Sequence, residues 1–219
     1  MFNYTGTIDP GAQRMRRMLS RLILLCLPMA AAAIEEPGFA VLERHEAFEL
    51  RRYEPFVVAE TVVEADFEGA GNRGFRVLAD YIFGNNAARD EIDMTAPVTQ
   101  RASVEIDMTA PVLQREGAGE RHVIGFVMPE PYTLATLPAP MTDAIAFREV
   151  PERLVAARRY SGRWNEARFR EQETALRDAL AEHGLEAVAP PEYARYDPPF
   201  MPWFMRRNEV LIEVRRIDR

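Results

Sequence analysis

Lysine is missing from this chain of 219 residues; all 27 of its basic side chains are arginine. With the abundant alanine, that usage points to a GC-rich bacterial genome. Cysteine is almost missing too. The one cysteine, Cys26, lies in a segment expected to be removed, so disulfides, thiolate-ligated zinc and iron–sulfur clusters are excluded from the mature chain. No apolar run reaches the roughly 20 residues that a bilayer-spanning helix needs, so no integral membrane span is expected. The chain carries no GxSxG, no HExxH and no glycine-rich phosphate loop, and no spacing singles out a catalytic pair among its acids. What remains, 47% hydrophobic and 28% charged residues, is the composition of a globular domain with a sizeable core.

The segment RMRRMLSRLILLCLPMAAAA (14–33) has a basic start, an apolar run from Leu22 and a small-residue end. This is the layout of a secretory signal peptide, with cleavage expected near Ala32 or Ala33 and a periplasmic or secreted mature protein of residues 34–219. The plainer alternative is a short buried or amphipathic helix. Removing residues 1–33 takes away four arginines and Asp9, which moves the net charge from −7 to −10. Such a surface repels phosphate backbones, so nucleic acid is not an expected partner.

From Phe39 the pattern reads as strands and then a helix. FAVLERHEAFELRRYEPFVVAETVVEADF predicts a hairpin, 39–43 and 47–53 turning at His45–Glu46. A turn at Glu54–Pro55 leads into a β-branched run, Val57–Val63. Phe75, Leu78, Ala79 and Ile82 then fall at i, i+3, i+4 and i+7, one face of a helix over 69–83 that stops at Gly84–Asn85–Asn86. The plan repeats. AIAFREVPERLVAARRYSG (144–162) is strand, proline turn, strand. WNEARFREQETALRDALAEHG then predicts a helix over 164–183, with Phe169, Leu176 and Leu180 on one face and Gly184 past its end. The reading is an α+β fold duplicated within one domain, because neither half has enough strands to bury its own helix.

Between the halves a phrase is written twice, EIDMTAPVTQ (91–100) and EIDMTAPVLQ (105–114). A period of two puts Ile92, Met94, Ala96 and Val98 on one side, and Ile106, Met108, Ala110 and Val112 in the second copy. Each copy is therefore expected to be a half-buried strand presenting a methionine inward. Pro97 and Pro111 cannot donate to a ladder, which places these strands at an edge or a bulge.

Ile-Asp-Met-Thr-Ala-Pro-Val resembles the K-I-x-M-T-x-P-V motif of the SOUL haem-binding protein family. YDPPFMPWFMRRNEVLIEV (196–214) resembles that family's closing signature, and ELRRY (49–53) and ADYIFG (79–84) resemble its first strand and helix. The likeness runs from Phe39 to Val214. It implies a distorted antiparallel β-barrel with two flanking helices and a pseudo-twofold internal duplication. It also implies non-covalent binding of haem or a related tetrapyrrole in an apolar groove beside a helix.

A haem site needs an apolar slot, cations for the propionates and commonly an axial ligand. Arg52 stands where some members of the family carry a histidine, so the axial ligand stays open. His45 in a turn, His122 at a strand start and His183 at a helix end have no metal-ligand spacing, and there is no CxxCH for covalent attachment. Arg73 and Arg76 on the first helix could pair with propionates over a floor of Phe75 and Ala79; the alternative is a solvated helix face. Met94 and Met108 could line the groove or belong to the core. In the tail, Trp203 and Phe204 read as a staple on the barrel or as a cap over a cleft. The fold implied by the resemblance is also similar to bacterial effector-binding modules. That makes a cleft-type binder, or weak hydrolase, of another flat apolar small molecule the alternative to a non-enzymatic tetrapyrrole binder.

Overall fold

In the computed structural model, residues 35–87, 104–117 and 119–217 are described. The leader with Cys26, and the first copy of the phrase with Met94, lie outside the described residues. Strict alternation in FAVLER makes β1 (Phe39–Arg44), which turns at His45 and pairs with β2 (Glu49–Tyr53) as the expected hairpin. After the Glu54–Pro55 turn comes β3 (Phe56–Glu64), then α1 (Phe67–Ile82). Asp66 caps α1 by accepting the Gly69 N–H at 2.7 Å, and Gly84, at φ 110°, takes the left-handed conformation that ends it. A two-residue β4 (Asn86–Ala87), β5 (Val112–Glu116), β6 (Arg121–Val127), a two-residue β7 (Ala139–Pro140), β8 (Ile145–Val150) and β9 (Arg153–Tyr160) follow. Asn165 caps α2 (Glu166–Glu182) through the Arg168 N–H at 2.9 Å. The chain closes with β10 (Leu185–Ala187), β11 (Glu192–Arg195) and β12 (Asn208–Arg216).

The main sheet is curled and wholly antiparallel, a half-barrel in the order β1-β2-β9-β12-β11-β5-β6-β3-β8, with β10 added on β12. From β2 to β8 this order reads the same under the exchange β2 for β8, β9 for β3, β12 for β6 and β11 for β5. The duplication expected from the two halves is thus a pseudo-twofold passing between β11 and β5. The proline turns do not make hairpins. β2 crosses to pair with β9 of the other half, and β8 returns to pair with β3.

Period-two alternation then assigns the faces. On the outer face Ala59, Ile124 and Phe126 meet Leu78 and Ile82 of α1, while Leu50, Ala156, Val210 and Ile212 meet Phe169, Leu176 and Leu180 of α2. The inner face is filled by Val58, Leu113, Val127, Val155, Ala157 and Leu211, so the interior of the curl is a packed core. Helix α1 approaches closely because of its glycines: a Cβ on Gly74 would lie 2.3 Å from Ile124 Cγ1.

The second copy of the phrase departs from expectation. Residues 104–110 form no strand; the ladder begins only at Val112. The reason is that their backbone groups find other partners. Asn86 Nδ2 donates to Val104 O at 2.7 Å, its Oδ1 accepts the Val104 N–H at 2.8 Å, and the Ile106 N–H donates to Ile82 O at 2.9 Å. Pro111 cannot extend the ladder upstream. Alternation survives in part: Ile106 and Ala110 are buried, but Met108 is 41% exposed and does not point inward. The tail is also corrected. Trp203 and Phe204 sit on a 3₁₀ turn (Trp203–Met205) and are exposed, so they staple nothing to the barrel.

Candidate functional site

The outer face of α1 carries the residues expected to hold a planar anionic ligand. Phe75 is half-buried, its ring edge-on to Phe126 at 5.3 Å between centroids. Phe126 stands opposite Val112 in the β5–β6 ladder, and from Val112 the chain runs back to exposed Met108. Arg73 and Arg76 are both exposed on the helix. Arg73 donates to Glu64 O at 3.0 Å, and Arg76 engages no partner among the described residues. Ala79 is buried in the core under α1, where it supports the strip from below. Arg52 is exposed on β2, opposite Leu154 and on the face that sends Leu50 toward α2, so it does not join the α1 set.

The strip fits a dianionic tetrapyrrole in two respects: an aromatic floor at Phe75 and two guanidiniums one helical turn apart for propionates. It holds no histidine. His122 is buried edge-on to Phe67 at 5.9 Å, and its Nδ1 has no hydrogen-bond partner. Met108 is exposed on the segment whose Ile106 N–H bonds the helix end at Ile82 O, and Met128 is buried in the core cluster against which Phe75 packs. Bound there, a haem would supply its own redox and ligand-binding chemistry; the chain supplies the floor and the countercharge.

A cleft of about 690 Å³ opens elsewhere, between the approach to β1, the β2–β3 crossing and the loop after β6. Phe56, Val57, Met128 and Tyr132 give it apolar walls. Five carboxylates surround it, Glu35, Glu36, Glu54, Glu130 and Glu149, and the described lining contains no arginine. Glu36 pairs with Arg207 at 2.7 Å and Glu35 accepts the Glu130 N–H at 2.6 Å. Propionates would be repelled here. None of Arg52, Arg73, Phe75, Arg76, Ala79 and Met108 lines this cleft. Sequence reasoning missed it because its five acids come from four separate segments.

The charges inside the curl are structural. Glu209, fully buried, accepts from Arg51 at 2.7 and 3.2 Å, from the Tyr196 hydroxyl at 2.8 Å and from Arg207 at 3.1 Å. Burial pushes its carboxyl up, yet the two guanidiniums and the hydroxyl prevail and hold it below the usual carboxylate range. At the opposite end Glu60 accepts from Arg148 at 2.7 Å and Arg115 at 2.5 Å, and is likewise held low against the effect of burial. Arg195 has no carboxylate. Burial among Trp164, Phe67 and Phe169 lowers its pKa to about 10, and its Nη2 donates to Gln114 Oε1 at 2.7 Å. Two of the scattered histidines do meet: His45 and His183 lie edge-on at 4.3 Å with Phe48 against both. His183 already bonds Ala179 O through Nδ1, and among the described residues no three ligand-type side chains form a metal cluster.

Comparison with known proteins bears on the family and the fold. The human "Heme-binding protein 2" is 40% identical over 75 residues, a stretch that spans 32% of this chain and 37% of that protein. Among solved structures, the EcmrR C-terminal domain superposes with a TM-score of 0.54 at 10% identity, covering 77% of this chain and 96% of the domain. A hydrolase from Listeria innocua superposes at 0.50 and 10% identity, covering 80% of this chain and 94% of that one. At such identities these two likenesses show the fold alone. The profile of the "SOUL heme-binding protein" family matches residues 34–213, and by that match across nearly the whole described domain the chain belongs to this family.

Proposed function

We propose that this protein binds haem or a related tetrapyrrole non-covalently on the outer face of α1 and performs no chemistry on it. The observation that carries the reading is the set of α1 residues: Phe75 half-buried on Phe126, Arg76 and Arg73 exposed on the same helix, and Met108 exposed on the segment bonded to the helix end. Family membership and the name of the human relative support it. We also place the mature protein outside the cytoplasm on the strength of the leader-like segment 14–33, and the excess of acidic residues disfavours nucleic acid as a partner.

The test is a haem titration followed in the Soret region. A saturable, stoichiometric change is expected, weakened at least tenfold by Phe75→Ala and by Arg76→Glu with the fold retained. The band position then reports whether the iron gains a protein ligand. Absence of a saturable change in folded protein refutes the reading.

The acid-rimmed cleft favours a second reading, a binder of some other flat apolar molecule, neutral or cationic rather than dianionic. A hydrolytic version would need a buried carboxyl with a raised pKa; the most buried one, Glu209, is held low instead. Competition decides between the sites: a cleft ligand is displaced by Glu54→Arg and haem is not.

A further inference from the structure

The tail that failed to staple the barrel is held in its exposed position by specific bonds. Phe200 is 84% exposed, Trp203 51%, Phe204 61% and Met205 61%, four large apolar side chains within six residues. Arg206 ties the loop down from beneath: its Nε donates to Met201 O at 2.8 Å and its Nη2 to Pro199 O at 2.6 Å, while its guanidinium lies 4.3 Å over the Trp164 ring. The Met201 N–H donates to Pro198 O at 3.0 Å and the Met205 N–H to Pro202 O at 2.9 Å. With three prolines and these bonds the loop is preorganised, and it presents its apolar side chains outward.

We propose that the loop 198–206 docks this protein on the interfacial region of a phospholipid bilayer. Isolated exposed apolar side chains are ordinary, but a contiguous patch marks an interaction surface. Its chemistry is that of a membrane interface: Trp203 beside Phe204 at 5.6 Å, the Arg163 guanidinium 5.9 Å over the Trp203 ring, and no acidic residue from Pro198 to Arg207. Tryptophan settles at headgroup level, where its ring is buried and its N–H stays wet. A second copy of the chain suits the patch less. Four partly covered side chains offer on the order of 500 Å², short of the ~800 Å² per partner of a stable interface. A surface-docked protein of this kind would meet its apolar ligand where such ligands partition.

The experiment uses the full chain and phosphatidylcholine vesicles, without and with about one third phosphatidylglycerol. Only two tryptophans exist, neither in residues 1–33, and Trp164 donates to Asn208 Oδ1 at 2.7 Å inside the fold. Tryptophan emission therefore reports on the loop and not on the leader. A blue shift on adding phosphatidylcholine vesicles, with quenching by lipids brominated in the upper acyl chain, is expected. The shift disappears in Trp203→Phe, and the Phe200→Ser/Phe204→Ser double variant lowers vesicle partitioning at least tenfold with its circular dichroism unchanged. Emission that does not move with either vesicle type overturns the proposal. So does partitioning that the double variant leaves intact, which would assign membrane contact to the leader. Lipid-free association that the double variant abolishes would give the loop to a second copy instead.

Discussion

Replacing Gly74 by alanine separates two effects of opposite sign. Glycine in a helix interior is about 0.8–1.0 kcal/mol worse than alanine, so propensity alone predicts a more stable protein. The packing says otherwise. The new Cβ would lie 2.3 Å from Ile124 Cγ1 and 2.4 Å from Ile124 Cβ, where carbons prefer about 3.5–4.0 Å. A rotamer change moves Cγ1 but not Cβ, and Ile124 is fixed by its pairing with Thr61 on one side and Gln114 on the other. Helix α1 must therefore lift by roughly an ångström, loosening Leu78 and Ile82 from the sheet. Overpacking of this kind costs about 1–3 kcal/mol, at the upper end where no side chain can yield. The net expectation is a loss of about 2 kcal/mol, read in urea unfolding, and a Tm lower by about 4–8 °C for a domain of this size. Gly71→Ala is a second case of the same kind, because its Cβ would meet the Arg195 guanidinium, Nη1 at 2.4 Å, which is buried and bonded to Gln114. A Gly74→Ala protein as stable as the parent refutes the reasoning.

Other expectations concern the buried charges and the caps. Glu209→Ala takes the buried carboxylate from Arg51 and Arg207 and leaves Arg51 only half-buried Glu49, at 2.8 Å, so it is expected to cost about 3 kcal/mol by denaturant unfolding, the lower end for breaking a buried pair. Glu209, Glu60 and Glu173 all have carboxyls held below the ordinary value of 4.5 in the folded protein. Their stabilisation is complete above that value and lost as pH falls through the lower folded values, so Tm should stay level from neutral pH down to about 5 and fall below it; a Glu209→Gln protein should show a shallower acid decline. Asn86→Ala removes the bonds to Val104, and amide exchange at Val104 and Ile106 should accelerate together, with about 2 kcal/mol lost. Asn165→Ala removes the α2 cap, for about 1 kcal/mol in thermal unfolding.

Both helices were legible in the sequence to within two residues at the start and one at the end. Their stripes are set by burial against one sheet, and Leu78, Ala79, Ile82, Phe169, Leu176 and Leu180 are all buried as the spacing requires. The strands were legible too, because period two survives any partner. What period two cannot encode is which strand lies alongside, and the exchange of β2 and β8 between halves had no local signal. The strand expected over residues 105–114 failed as far as Pro111 for a related reason: alternation was present, but Asn86 and Ile82 had already taken backbone groups of Val104 and Ile106 that a neighbouring strand would need. Of the candidate site, the α1 residues could be grouped from the sequence because they lie on one helix. The acid-rimmed cleft and the His45–His183 contact join distant segments, and only the fold brings those together.

The crossing of β2 and β8 has an architectural meaning. β2 of the first half joins the strands of the second and β8 of the second joins those of the first, which is the geometry of a domain-swapped homodimer written into a single polypeptide. A half-length chain would have both a vacant sheet edge and an unpaired arm, and two such chains would satisfy each other. In the single chain that mutual dependence is intramolecular. Neither half can then unfold without stripping a strand from its counterpart, so the two helices, though they cover separate cores, are expected to melt in one transition.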